Sequence, residues 1–106
     1  GIKTTKESLT LSDYQKSDRD FAFLADKNVK AQSIVDVIED IDRKLVRDVK
    51  IFDVYEGENI PSDKKSIAIK VTIQSDHKTL NENDLADISN RIISSVEGKV
   101  AAKIRS

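Results

Sequence analysis

Phe52-Asp53-Val54-Tyr55-Glu56-Gly57, then Ile60-Pro61, then Lys64-Lys65-Ser66 is the stretch on which the fold of this chain turns. Directly after it, Ile67, Ile69, Val71 and Ile73 alternate with Ser66, Ala68, Lys70, Thr72 and Gln74. That is the period of an antiparallel strand with one face buried and the other in water. Gly57 and Pro61 punctuate the segment before it as a turn. The block therefore reads as a β-hairpin. Its first strand ends in an acid and an aromatic, and its second opens on two lysines.

Working outward, residues 45–55 supply the first strand of that hairpin. Both of its faces are partly apolar, which predicts a bulge near Val49 to Ile51. With Phe52 and Val54 turned inward, Asp53 and Tyr55 reach the opposite face. Upstream, residues 19–25 suit a strand with Phe21 and Phe23 on one face and Ala22 on the other. Ala31, Ile34, Val35, Ile38 and Ile41 then recur at helical spacing, with Asp36, Glu39, Asp40 and Asp42 facing out. Downstream, Asn81 and Asp84 form a weak capping box ahead of a buried stripe of Leu85, Ile88, Ile92 and Val96. Gly98 is the expected stop. Val100, Ala102 and Ile104 alternate with Ala101, Lys103 and Arg105 as a short last strand. Residues 1–13 show no period and read as an extended lead-in or linker, leaving 14–106 as one domain. The order is βαββαβ, so the predicted fold is α+β. It is the ferredoxin-like split βαβ, with a four-stranded antiparallel sheet carrying two helices on one face.

Composition fits a single core. The chain has 106 residues, 38% of them apolar and 35% charged, with 5% aromatic, so packing is aliphatic. The absence of cysteine removes disulfides and thiolate metal sites, and nothing points to secretion. Apolar runs of only a few residues exclude a membrane helix, and no signal peptide is visible. Gly1 in place of an initiator Met is expected of an excised fragment, and the style is cytoplasmic. Net charge is −1, against a stand-alone nucleic-acid binder. Its distribution is uneven: Lys64, Lys65, Lys70 and Lys78 face only Asp76 within 64–78, and Lys99, Lys103 and Arg105 have no acid within 98–106. Residues 81–97 are acidic.

No chemistry of an enzyme emerges. His77, the only histidine, sits in a turn, where a solvated side chain is the ordinary reading. The acids of the first helix lack histidine and calcium-loop spacing, so no metal site is expected. No phosphate loop, nucleophile elbow or dinucleotide fingerprint is present.

The open face of the sheet is more informative. It is expected to present Ser66, Ala68, Lys70 and Thr72, with Ala22, Lys103, Arg105, Asp53 and Tyr55 around them. Small residues form the floor, cations the rim, and one aromatic and one acid stand at the hairpin. Such a surface suits phosphates and an unpaired base. An RNA-recognition-motif domain needs aromatics where this strand has Ser66, Ala68 and Lys70. A copper-chaperone-like domain needs Cys-x-x-Cys. An acylphosphatase-like enzyme needs a glycine-rich loop where this chain has Asp26-Lys27-Asn28-Val29. A ferredoxin-fold regulatory or protein-interaction module without RNA binding stays open as the alternative.

With Arg19-Asp20-Phe21-Ala22 before the hairpin block and Lys78-Thr79-Leu80 after it, the order and spacing resemble one family over residues 14 to 105. It is the ferredoxin-fold anticodon-binding domain that ends the β chain of bacterial phenylalanine–tRNA ligase. The resemblance implies recognition of the anticodon stem-loop of phenylalanine tRNA, in support of ATP-dependent aminoacylation. It also implies the rest of the β chain and an α chain as partners in an α2β2 enzyme. ATP and magnesium would serve that parent enzyme, and this domain would need no cofactor. By motif position, the resemblance assigns Asp53, Tyr55, Ser66, Ala22 and Arg105 to tRNA binding. Lys65 and Lys103 are expected to join Arg105 on phosphates. The chain departs from the family's Pro-Val lead-in at Tyr14-Gln15-Lys16-Ser17-Asp18-Arg19-Asp20, and carries Lys30 and Asn81 at the helix starts.

Overall fold

The computed structural model describes residues 15–105, so the lead-in proposed for 1–13 lies outside the described residues. Six elements follow in the expected order: β1 (Ser17–Asp26), α1 (Ala31–Ile41), β2 (Val46–Tyr55), β3 (Lys64–Ile73), α2 (Glu82–Lys99) and β4 (Ala102–Ile104). The sheet runs β2-β3-β1-β4 with every neighbouring pair antiparallel.

The core forms where alternation and helical stripe meet. Ile67, Ile69, Val71 and Ile73 are all fully buried, as is Phe23. Against them lie Ile34 and Ile38 of α1 and Leu85, Ile88, Ile92 and Val96 of α2. The phenylalanines of β1 stack with ring centroids 6.2 Å apart. Asn81 and Asp84 complete a full capping box: Asp84 N–H donates to Asn81 Oδ1 at 2.9 Å, and Asn81 N–H to Asp84 Oδ2 at 3.1 Å. This satisfies two backbone donors that the first helical turn otherwise leaves unpaired.

Four local expectations need correction. Gly98 does not stop α2, which runs to Lys99. The helix ends where Val100 takes extended backbone leading into β4. Asp42 does not belong to the solvated helix face. It caps the helix, its carboxylate accepting from the N–H groups of Lys44 and Leu45. The bulge in β2 is not at 49–51. Register shifts fall between Val46 and Asp48 and between Ile51 and Asp53, making Arg47 and Phe52 the extra residues. Phe52 accordingly breaks the alternation and is 58% exposed rather than turned inward. Val54 does stand opposite the buried Ile67 on the helix side, but this end of β2 is an uncovered sheet edge and Val54 stays exposed.

Candidate nucleic-acid interface

The second bulge sets up the open face. By adding a residue at Phe52, it brings Asp53 opposite Ala68 and Tyr55 opposite Ser66. Ser66 in turn pairs with Leu24, and Leu24 with Lys103. Tyr55, Ser66, Leu24 and Lys103 thus form one row across all four strands, roughly 14 Å from end to end at the usual strand spacing. Beside it, Asp53, Ala68 and Ala22 form a second row. Arg105 closes that row: its N–H donates to the Ala22 carbonyl at 2.6 Å.

From that anchor Arg105 crosses β1 and donates through Nη1 to Ser66 Oγ at 3.0 Å. The small side chains of Ala22 and Ala68 leave the floor low enough for this crossing. Ser66 is only 7% exposed. Because guanidinium nitrogens only donate, the Ser66 hydroxyl must accept from Arg105, and its own hydrogen remains for an outside acceptor.

Tyr55 is held at the hairpin. Gly57 has φ +138°, and a Cβ there would lie 3.1 Å from Tyr55 Oη, so only glycine lets the ring lie against the turn. The Tyr55 hydroxyl donates to the Glu58 carbonyl at 3.3 Å. Lys27 and Glu56 tie the hairpin to the loop after β1 by an ion pair at 3.3 Å.

Among the predicted residues the structure brings together Ala22, Asp53, Tyr55, Ser66, Lys103 and Arg105. It does not bring Lys65, which stands opposite the fully buried Ala25 and so takes the helix face. Lys64 occupies the open side instead, bonded to Asp26, whose carboxylate raises the lysine's pKa. Sequence reasoning missed Lys64 and Leu24. Both were findable by extending the β1 and β3 alternation one step further toward the hairpin.

Charge divides this face in two. The hairpin half carries Lys64, Lys103 and Arg105 with Asp26 and Asp53. The far half carries Asp18, Asp20 and Asp48 with Lys50 and Lys70. Asp18 there accepts from Thr72 Oγ1 at 2.9 Å. Phosphates are favoured only at the hairpin end. Elsewhere, a cleft of about 460 Å3 between the helices has its arginine committed, since Arg91 bonds the Ile41 carbonyl at 3.1 Å. No cluster of metal-ligating side chains occurs among the described residues, and no helix among them is long and apolar enough to cross a membrane. His77 is exposed in its turn.

The family model for the ferredoxin-fold anticodon binding domain matches residues 12–105. The chain is 39% identical over 100 residues to the phenylalanine–tRNA ligase beta subunit of Rickettsia prowazekii and 42% identical over 100 residues to that of Bradyrhizobium diazoefficiens. It is 41% identical over 101 residues to the same subunit of Mesorhizobium japonicum. These matches take in 94–95% of the chain but only 12–13% of each relative, so the chain spans about an eighth of the proteins it resembles. The family model and the near-complete coverage by relatives 39–42% identical agree: the chain belongs to the ferredoxin-fold anticodon-binding domain family.

Proposed function

We propose that this domain binds the anticodon stem-loop of phenylalanine tRNA on the hairpin half of its open face. The observation that carries the reading is the Arg105–Ser66 hydrogen bond, set between Tyr55 and Asp53 on one side and Lys103 on the other. Tyr55 stacks an unpaired base, worth roughly 1–3 kcal/mol. Asp53 accepts from base N–H groups, while the Ser66 hydrogen and the Arg105 guanidinium meet an acceptor. An edge with donors beside an acceptor, such as that of guanine, complements this pattern. Lys103 and the rest of the Arg105 fork face phosphates.

In this reading the domain, residues 14–106 with 1–13 as lead-in, works within a longer β chain. That chain pairs with an α chain in an α2β2, cytoplasmic enzyme attaching phenylalanine to tRNA with ATP and magnesium. The site itself has no catalytic role. The protein-interaction alternative is favoured by one observation: Ile51, Phe52 and Val54 stand exposed on the uncovered β2 edge. Its partner would be another part of the same long β chain, where tethering compensates a small contact.

The test is Tyr55→Ala in the full-length β chain assembled with its α chain. The expected result is a roughly tenfold lower kcat/KM for tRNA with phenylalanine activation unchanged. Charging at the wild-type rate by a folded variant would remove Tyr55 from the site.

A further inference from the structure

Leu24 is a branched aliphatic side chain on an open face whose other aliphatic residues are the alanines Ala22 and Ala68, and it lines a cavity of about 300 Å3. Lys64, Lys103, Asp26, Glu97, Ala101 and Ala102 complete the lining. The volume lies at the lower end of the range of small-ligand sites. Two cations and two carboxylates leave the cavity close to neutral, so it suits a base or ribose better than a bare phosphate. Both carboxylates are already engaged: Asp26 holds Lys64, and Glu97 Oε2 accepts from the Ile104 N–H at 3.0 Å. Lys103 has no ion-pair partner among the described residues and is exposed at the rim.

The cavity is continuous with the site above. Leu24 sits next to Ser66 in the row that starts at Tyr55 and ends at Lys103. A strand of RNA laid along that row crosses the sheet from β2 to β4. It passes Ser66 one strand before reaching Leu24.

We propose that the Leu24 cavity is a second nucleotide subsite. The base of a nucleotide neighbouring the one held at Tyr55 and Ser66 rests on the Leu24 side chain. The linking phosphate lies within reach of Lys103 and Arg105. The RNA path is thereby across the strands, and the acidic far half of the face stays uncovered. This inference rests on the RNA-binding reading of the same face and adds the direction of the strand and a residue that reads none of its hydrogen bonds.

Isotope-labelled 106-residue chain is titrated with the anticodon stem-loop of phenylalanine tRNA, in wild type, Leu24→Glu, Leu24→Met and Tyr55→Ala, with circular dichroism to check folding. The Leu24 methyl signals of the wild type are expected to shift, with contacts to base protons. Leu24→Glu is expected to bind roughly fivefold more weakly while the Tyr55 signals still move, and Leu24→Met to bind as wild type does. Because Leu24 is part-exposed beside Lys64 and Lys103, a glutamate there is compatible with the fold. Tyr55 shifts with unmoved Leu24 methyls and undiminished affinity in Leu24→Glu would overturn the subsite and leave the RNA reading standing. Absence of shifts at both Tyr55 and Leu24 in the wild type would overturn both.

Discussion

Gly57 and Tyr55 act as one unit at the hairpin, the glycine backbone at φ +138° making the space the ring occupies. Gly57→Ala places a Cβ against Tyr55 Oη in a conformation that side chains rarely adopt. It should cost about 1–3 kcal/mol and lower the melting temperature, while moving the Tyr55 ring. An unchanged melting curve would show that the turn relaxes freely. Ser66 separates binding from stability. Ser66→Ala removes the acceptor for Arg105, but the exposed guanidinium regains water, so stability should fall by no more than about 1 kcal/mol. RNA affinity should fall more, because the hydroxyl hydrogen that Arg105 leaves unused is lost; equal affinities would take Ser66 out of the interface. Asp53, Tyr55 and Ser66 were legible in the sequence as motif positions on an alternating hairpin. Lys65 was not. Of two adjacent lysines only one can face the open side, and the alternation that puts Ser66 there puts Lys64 there as well; the Lys-Lys-Ser triplet read without that alternation does not separate them.

At the scale of elements, β3 and α2 were the most legible, because an unbroken Ile/Val alternation and a capped apolar stripe each admit one secondary structure. β2 was not, since its two extra residues at Arg47 and Phe52 erase the period that would place Phe52. Gly98 misled for a related reason: glycine permits a left-handed stop but does not impose one. It sits inside α2 with nothing within 4 Å of where a Cβ would be. Gly98→Ala should therefore stabilise the domain by about 0.5 kcal/mol; a loss on chemical denaturation would mean that the helix end needs the glycine. The capping box gives α2 a pH dependence. The Asn81 N–H, and then Lys78, hold the Asp84 carboxyl below its ordinary value of 3.8. A depressed folded-state pKa contributes stability that is complete above the unfolded value and lost as pH falls through the folded one. The stability gap between wild type and Asp84→Asn should stay constant from pH 7 to about pH 5 and close below about pH 4. A gap unchanged down to pH 2 would contradict this.

Across the whole molecule, near-neutral net charge and a divided open face set the strength of binding. Only Lys64, Lys103 and Arg105 gather where phosphates are favoured, and Lys64 is shared with Asp26. Two or three phosphate contacts to a single-stranded loop correspond to a slope of roughly −1.5 to −2 in log affinity against log salt. The isolated domain should bind its RNA weakly and gain affinity when tethered within the longer chain. Sub-micromolar binding of an unrelated tRNA at physiological salt would contradict that.

The most direct test of anticodon recognition is a resonance-by-resonance titration of the labelled chain with the phenylalanine-tRNA stem-loop and with the same stem carrying a scrambled anticodon. The account predicts shifts confined to the hairpin half of the open face, at Tyr55, Ser66, Leu24, Lys103 and Arg105, and larger for the matched loop. Equal shifts with both loops, or shifts centred on the α1–α2 side, would contradict it.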